Sequence, residues 1–105
     1  MSKGIITKYM QNCIICGNPN IQIHHGISGT ANRIKSDETG LIMPLCPYHH
    51  NSSKMSVHQN REMQILSKQL SELAFEKEYY RKQLIKGDDD PAREEFRKIF
   101  GECFL

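Results

Sequence analysis

Leu45-Cys46-Pro47-Tyr48-His49-His50-Asn51 is the stretch on which the fold of this chain turns. A cysteine and a histidine two residues apart can be offered to one ion by a single turn, and Pro47 stands where a helix can begin. Upstream, Cys13-Ile14-Ile15-Cys16-Gly17 repeats the spacing, with Gly17 free to take the positive φ that turns amides toward thiolates. Two such pairs close a tetrahedron. Cys13, Cys16, Cys46 and His49 therefore form a candidate structural zinc site, with His50 as the alternative fourth ligand.

All five histidines and three of the four cysteines lie between Cys13 and His58. Removing the zinc set leaves His24, His25, His50 and His58 as a second cluster. His24-His25 closes the segment Ile21-Gln22-Ile23-His24, whose alternation of apolar and polar residues predicts a short half-buried strand. Neighbours on a strand face opposite ways, so one imidazole of the pair can serve a metal while the other faces a substrate. The bland alternative, one packed and one solvated histidine, is weakened by His50 and His58 nearby in the expected fold.

Working outward, residues 1–12 read as an entry arm and Asn18-Pro19-Asn20 as a turn. Gly26 to Gly40 is polar and reads as a long loop. Leu41-Ile42-Met43 predicts a second strand that Pro44 ends or edges. Asn60 is a good N-cap, with Glu62 in the first turn. Met63, Leu66, Leu70, Leu73, Tyr80 and Leu84 then follow at helical intervals, interrupted by Lys77. They predict a long amphipathic helix with a narrow apolar seam. Gly87 stops it, and Asp88-Asp89-Asp90-Pro91 restarts a short helix bearing Phe96, Ile99 and Phe100 up to Gly101. Cys103 reads as a small packed residue.

The chain has 105 residues, 38% of them hydrophobic, and no tryptophan, which predicts one domain with a thin core that a metal would help to stabilise. The net charge of +2 is unevenly placed: residues 1–60 carry five bases against two acids, and residues 61–105 carry nine against ten. The histidine region is thus mildly cationic, which permits phosphate contact. No apolar signal-like segment follows Met1 and no run approaches membrane-spanning length, so a cytoplasmic protein without membrane contact is expected.

Ile23-His24-His25-Gly26, the Leu45–Asn51 stretch and Val57-His58-Gln59-Asn60 together resemble the HNH endonucleases, the ββα-metal nucleases. The likeness is to a small subgroup common in bacteriophages and prophages, and Phe96-Arg97-Lys98-Ile99-Phe100-Gly101 is similar to the end of those proteins. The resemblance implies an α+β fold: a zinc-stabilised ββα-metal core over residues 1–60, then a helical extension over 61–105 that belongs to the same domain or serves as a dimerisation arm.

It also implies roles. His24, His50 and His58 would hold a catalytic Mg²⁺, Mn²⁺ or Ni²⁺, and His25 would be the general base. Lys54 occupies the helical spacing nearest to His50, so the third ligand passes to His58. The family's middle Asn would fall near Gly40 or Leu41, leaving Asn32 or Asn51 as substitutes. His25 would deprotonate a water that attacks the phosphorus of duplex or branched DNA, leaving a 5′-phosphate and a 3′-hydroxyl. Arg33 would clamp the phosphate, with Lys35 and Lys54 adding attraction. The seam from Met63 to Leu84 exceeds what the small core can cover, so a homodimer is expected, with the 91–101 helix as the competing cover. The rival function is a zinc-stabilised nucleic-acid-binding or recombination-accessory module with a weak or inactive nuclease site.

Overall fold

Two short strands pair antiparallel at the centre of the molecule: β1 (Gln22–His25) against β2 (Ile42–Leu45), with His24 opposite Met43 and His25 opposite Ile42. The structure is a computed structural model that describes residues 4–83 and 91–105. Pro44 does not end β2, because it lies within the strand opposite Ile23. Its carbonyl accepts from the Ile14 amide at 2.9 Å, so the edge that lacks a proline N–H faces the first cysteine knuckle and not β1.

The segment expected to be a loop between the strands is a helix, α1 (Thr30–Thr39). It escapes a search for apolar periodicity because its one buried side chain is Ser36, while Ile34 is exposed. The Ser36 hydroxyl donates to the Ile27 carbonyl and accepts from the Ile27 amide, both at 3.2 Å. A polar clamp does the docking that leucine does elsewhere. Gly40, at φ 78°, ends α1 in the left-handed conformation while Leu41 N–H returns to the Ser36 carbonyl.

After β2 a single π-helical turn covers Tyr48–Ser52. Asn60 then caps α2 (Arg61–Gln83), its side-chain oxygen accepting from the Met63 amide at 3.0 Å. The α3 helix (Pro91–Phe100) packs against α2 and ends at Gly101. Leu84, Gly87 and Asp88 to Asp90 lie outside the described residues. Apolar burial divides in two. Cys13, Met43, Leu45, Cys46 and Val57 form one cluster, with Met63 packed on it, and Ile27, Leu41, Phe96 and Phe100 form the other. Ile6, from the entry arm, touches both. Cys103 packs on the second cluster, its thiol 3.5 Å from the Arg93 carbonyl.

Beyond Met63, the leucines of the seam on α2 do not face this core. Leu66, Leu70 and Leu73 are exposed, whereas Ser67, Ser71, Glu72 and Glu76 are buried. The reason is close approach. A Cβ built on Gly26 would lie 1.8 Å from the Ser71 hydroxyl and 3.1 Å from the Leu41 carbonyl, so only small side chains fit where α2 meets the end of β1. Folding back of α3 covers a different face, with Phe75 meeting Phe96 and Arg93 reaching Glu72 at 3.5 Å and Glu76 at 3.2 Å.

Candidate metal centres and cleft

The first knuckle is held by its own backbone: Gly17 N–H reaches the Cys13 carbonyl and Cys13 N–H the Asn18 carbonyl, both at 2.8 Å, with Gly17 at φ 80°. In the second, the amides of His49 and His50 both point to the Cys46 carbonyl. The four expected groups converge. His49 Nδ1 lies 3.3 Å from Cys46 Sγ and 3.7 Å from Cys13 Sγ, and the Cys16 and Cys46 sulfurs are 3.6 Å apart. A tetrahedron with zinc bond lengths has edges of about 3.5–3.8 Å, so Cys13, Cys16, Cys46 and His49 could hold such an ion. Burial works against the Cys13 thiolate, but the amides of Cys46, Cys16 and Ile15 outweigh it and bring the pKa to about 6. A ready thiolate suits a metal ligand.

His50 is turned the other way, into a second group with His24 and His58 whose ligand atoms lie within 4.8 Å of one another. His50 Nε2 and His58 Nε2 are 3.1 Å apart, near the edge of about 2.9–3.4 Å expected for two imidazoles on one ion. His24 is buried at 5% exposure, with Nε2 2.9 Å from the Ser67 hydroxyl and Nδ1 buried without a hydrogen-bond partner. A buried polar atom left unpaired is costly, and a cation in front of it removes the cost. The donor set therefore fits a divalent ion.

His25 stands beside this group without joining it. A cleft of about 450 Å³ is lined by His24, His25, His50 and His58, by Arg33, and by Ser28, Gly29 and Thr30 at the amino end of α1. That end has no side-chain cap, and Ser28, Gly29 and Thr30 bring it to the wall of the opening. Burial, then Arg33, lower the pKa of His25, against an opposing pull from Asp37. Burial, then His58 and His25, lower that of His50. Burial, then His58, His50 and His25, bring His24 down to about 3. All three are neutral at pH 7, with lone pairs available for a metal or a proton.

Arg33 thus lines the cleft, while Lys35, further along α1, and the exposed Lys54 are not among its lining residues. Gly40 and Leu41 supply no amide side chain; one ends α1 and the other is buried in the second cluster. Asn32 bonds the Ser28 carbonyl at 3.1 Å, steadying the entry to α1. Sequence reasoning missed three contributors: Gln22, whose Oε1 is 2.6 Å from His50 Nδ1, Ser67, and the amino end of α1. Gln22 was within reach of the strand period, two residues before His24 on the same face. Ser67 carried no signal in the sequence.

No protein-family model, curated protein or solved structure matches this chain. Among the described residues, no helix is long and apolar enough to cross a membrane.

Proposed function

We propose that this chain is a metal-dependent endonuclease of the HNH type that hydrolyses DNA phosphodiester bonds, with a structural zinc on Cys13, Cys16, Cys46 and His49. The observation that carries the reading is the orphaned Nδ1 of buried His24, whose ring lies 5.4 Å from that of His50 and 5.1 Å from that of His58 in a cleft that also holds a neutral His25 and Arg33. His24, His50 and His58 would hold the catalytic ion. Three imidazoles without a carboxylate suit Ni²⁺ or Zn²⁺ better than Mn²⁺ or Mg²⁺. Such an ion supplies charge stabilisation at the phosphoryl and departing 3′ oxygens.

The chain's own residues do the rest. His25 accepts a proton from the attacking water, a role for which its lowered pKa keeps it unprotonated. The Arg33 guanidinium grips a non-bridging oxygen, and the free amides opening α1 add donors to the same phosphate. A second copy of the chain, meeting the exposed Leu66, Leu70 and Leu73, would bring two clefts to one duplex.

A supercoiled-plasmid nicking assay with Mn²⁺, Ni²⁺, Zn²⁺ or Mg²⁺ tests the reading. Wild type should nick in at least one metal, and His25→Ala should lose 10²–10⁴-fold in rate, the usual range for a general base, while keeping divalent-ion affinity. DNA binding without nicking in any metal would instead favour the zinc-stabilised binding module, a reading that the missing amide at positions 40 and 41 supports.

A further inference from the structure

We propose that Ser67 and Gln22 are positioning residues that hold His24 and His50 in opposite ring tautomers, His24 offering Nδ1 and His50 offering Nε2 to one divalent ion. The proposal rests on the reading of the cleft as a metal site. A neutral imidazole carries one N–H, and the hydrogen bond made by one nitrogen decides what the other can do. His24 has its Nε2 2.9 Å from the Ser67 hydroxyl. With the proton there, Nδ1 keeps a lone pair; the reverse tautomer would bury an N–H that has no acceptor. His50 has its Nδ1 2.6 Å from Gln22 Oε1. An amide oxygen only accepts, so the proton sits on Nδ1 and the lone pair on Nε2, 3.1 Å from His58 Nε2.

Both partners come from elements with another evident task. Gln22 is on β1, so one strand delivers a ligand and the partner of a second ligand. Ser67 is on α2, one turn before Ser71, and the Ser71 hydroxyl bonds the Ser67 carbonyl at 2.9 Å. The tight packing of Ser71 over Gly26 is what brings the Ser67 hydroxyl within reach of His24. The long helix is therefore part of the site and not only a support for the core. Partners of this kind orient a ligand ring and raise its basicity, and their loss costs roughly 10–100-fold in metal affinity.

Two measurements on the full, zinc-loaded chain test this. Two-bond nitrogen–proton correlation of the imidazoles should find Nδ1 unprotonated in His24 and Nε2 unprotonated in His50. Titration with Co²⁺ as the probe of the open site should give roughly 10–100-fold weaker binding in Ser67→Ala and in Gln22→Ala. Gln22 is exposed, so its variant should keep the wild-type melting temperature. Gln22→Glu, which can only accept, should restore affinity. Reversed tautomers, or wild-type Co²⁺ affinity in both alanine variants, would overturn the proposal. A wild type that takes up no second ion would instead overturn the metal-site reading beneath it.

Discussion

Gly26→Ala should be among the most damaging single-methyl additions to this chain. The new Cβ would lie 1.8 Å from Ser71 Oγ and 2.9 Å from Ser71 Cβ. Turning the hydroxyl aside breaks its 2.9 Å bond to the Ser67 carbonyl, a net loss of about 1 kcal/mol. The Cβ contact at 2.9 Å remains after that turn, and the Leu41 carbonyl at 3.1 Å blocks retreat on the other side. Relief then requires α2 to back away from β1, and overpacking of this kind costs about 1–3 kcal/mol. A total of about 2–4 kcal/mol follows from these two contributions. Urea unfolding at saturating zinc measures it, and a double-mutant cycle with Ser71→Gly identifies the cause, because removing the Ser71 side chain should recover most of the loss. The same displacement draws Ser67 from His24, so Co²⁺ uptake at the open site should weaken in parallel. Stability within 0.5 kcal/mol of wild type, or strict additivity with Ser71→Gly, would refute the close docking of α2.

Three further outcomes are expected. Because the folded pKa of His24 is about 3 against 6.5 in the unfolded chain, the unfolded state binds a proton that the folded state refuses as pH falls through that window. The stability present above pH 6.5 should therefore decline toward pH 3, by about 2 kcal/mol at pH 5, when measured without added divalent ion; an unchanged pH slope in His24→Gln would contradict this. Cys46→Ser should lose its zinc and unfold the region around the first apolar cluster, since structural-site binding energy is folding energy, and zinc-free protein with an unaltered melt would count against it. Sedimentation at micromolar concentration should show a dimer that Leu70→Glu dissociates; a monomeric wild type would mean that Leu66, Leu70 and Leu73 are simply solvated.

Ligand chemistry made the cysteine group legible before any coordinates. A metal dictates both residue type and spacing, so Cys13, Cys16, Cys46 and His49 could be paired on paper, with His50 as the alternative fourth ligand, whereas the set His24, His50 and His58 came only from the resemblance to the HNH endonucleases. Cap chemistry placed the start of α2 at Asn60, and Pro91 placed that of α3. What escaped was docking through small polar groups. Ser36 fastens α1, and Ser67 and Ser71 carry the buried face of α2. Hydrophobic periodicity cannot detect either helix face. It saw no helix at 30–39, and on α2 it selected Leu66, Leu70 and Leu73, which face outward.

The adjacency of His49 and His50 gives the two groups an order of assembly. Successive residues of a helical turn project in different directions, and here one imidazole enters the cysteine group while the next enters the cleft. The backbone extends the link: Val57 N–H bonds the His49 carbonyl and His58 N–H the His50 carbonyl. Closing the cysteine group over His49 therefore fixes His50 and carries His58 with it. His24, by contrast, is held from β1 and by the Ser67 hydroxyl of α2. Loss of the first ion should thus dismantle the open site, whereas His24→Ala should leave the first ion in place. A metal on the cysteine group would be the device that lets a thin core hold the imidazoles of His24, His50 and His58 within 4.8 Å of one another.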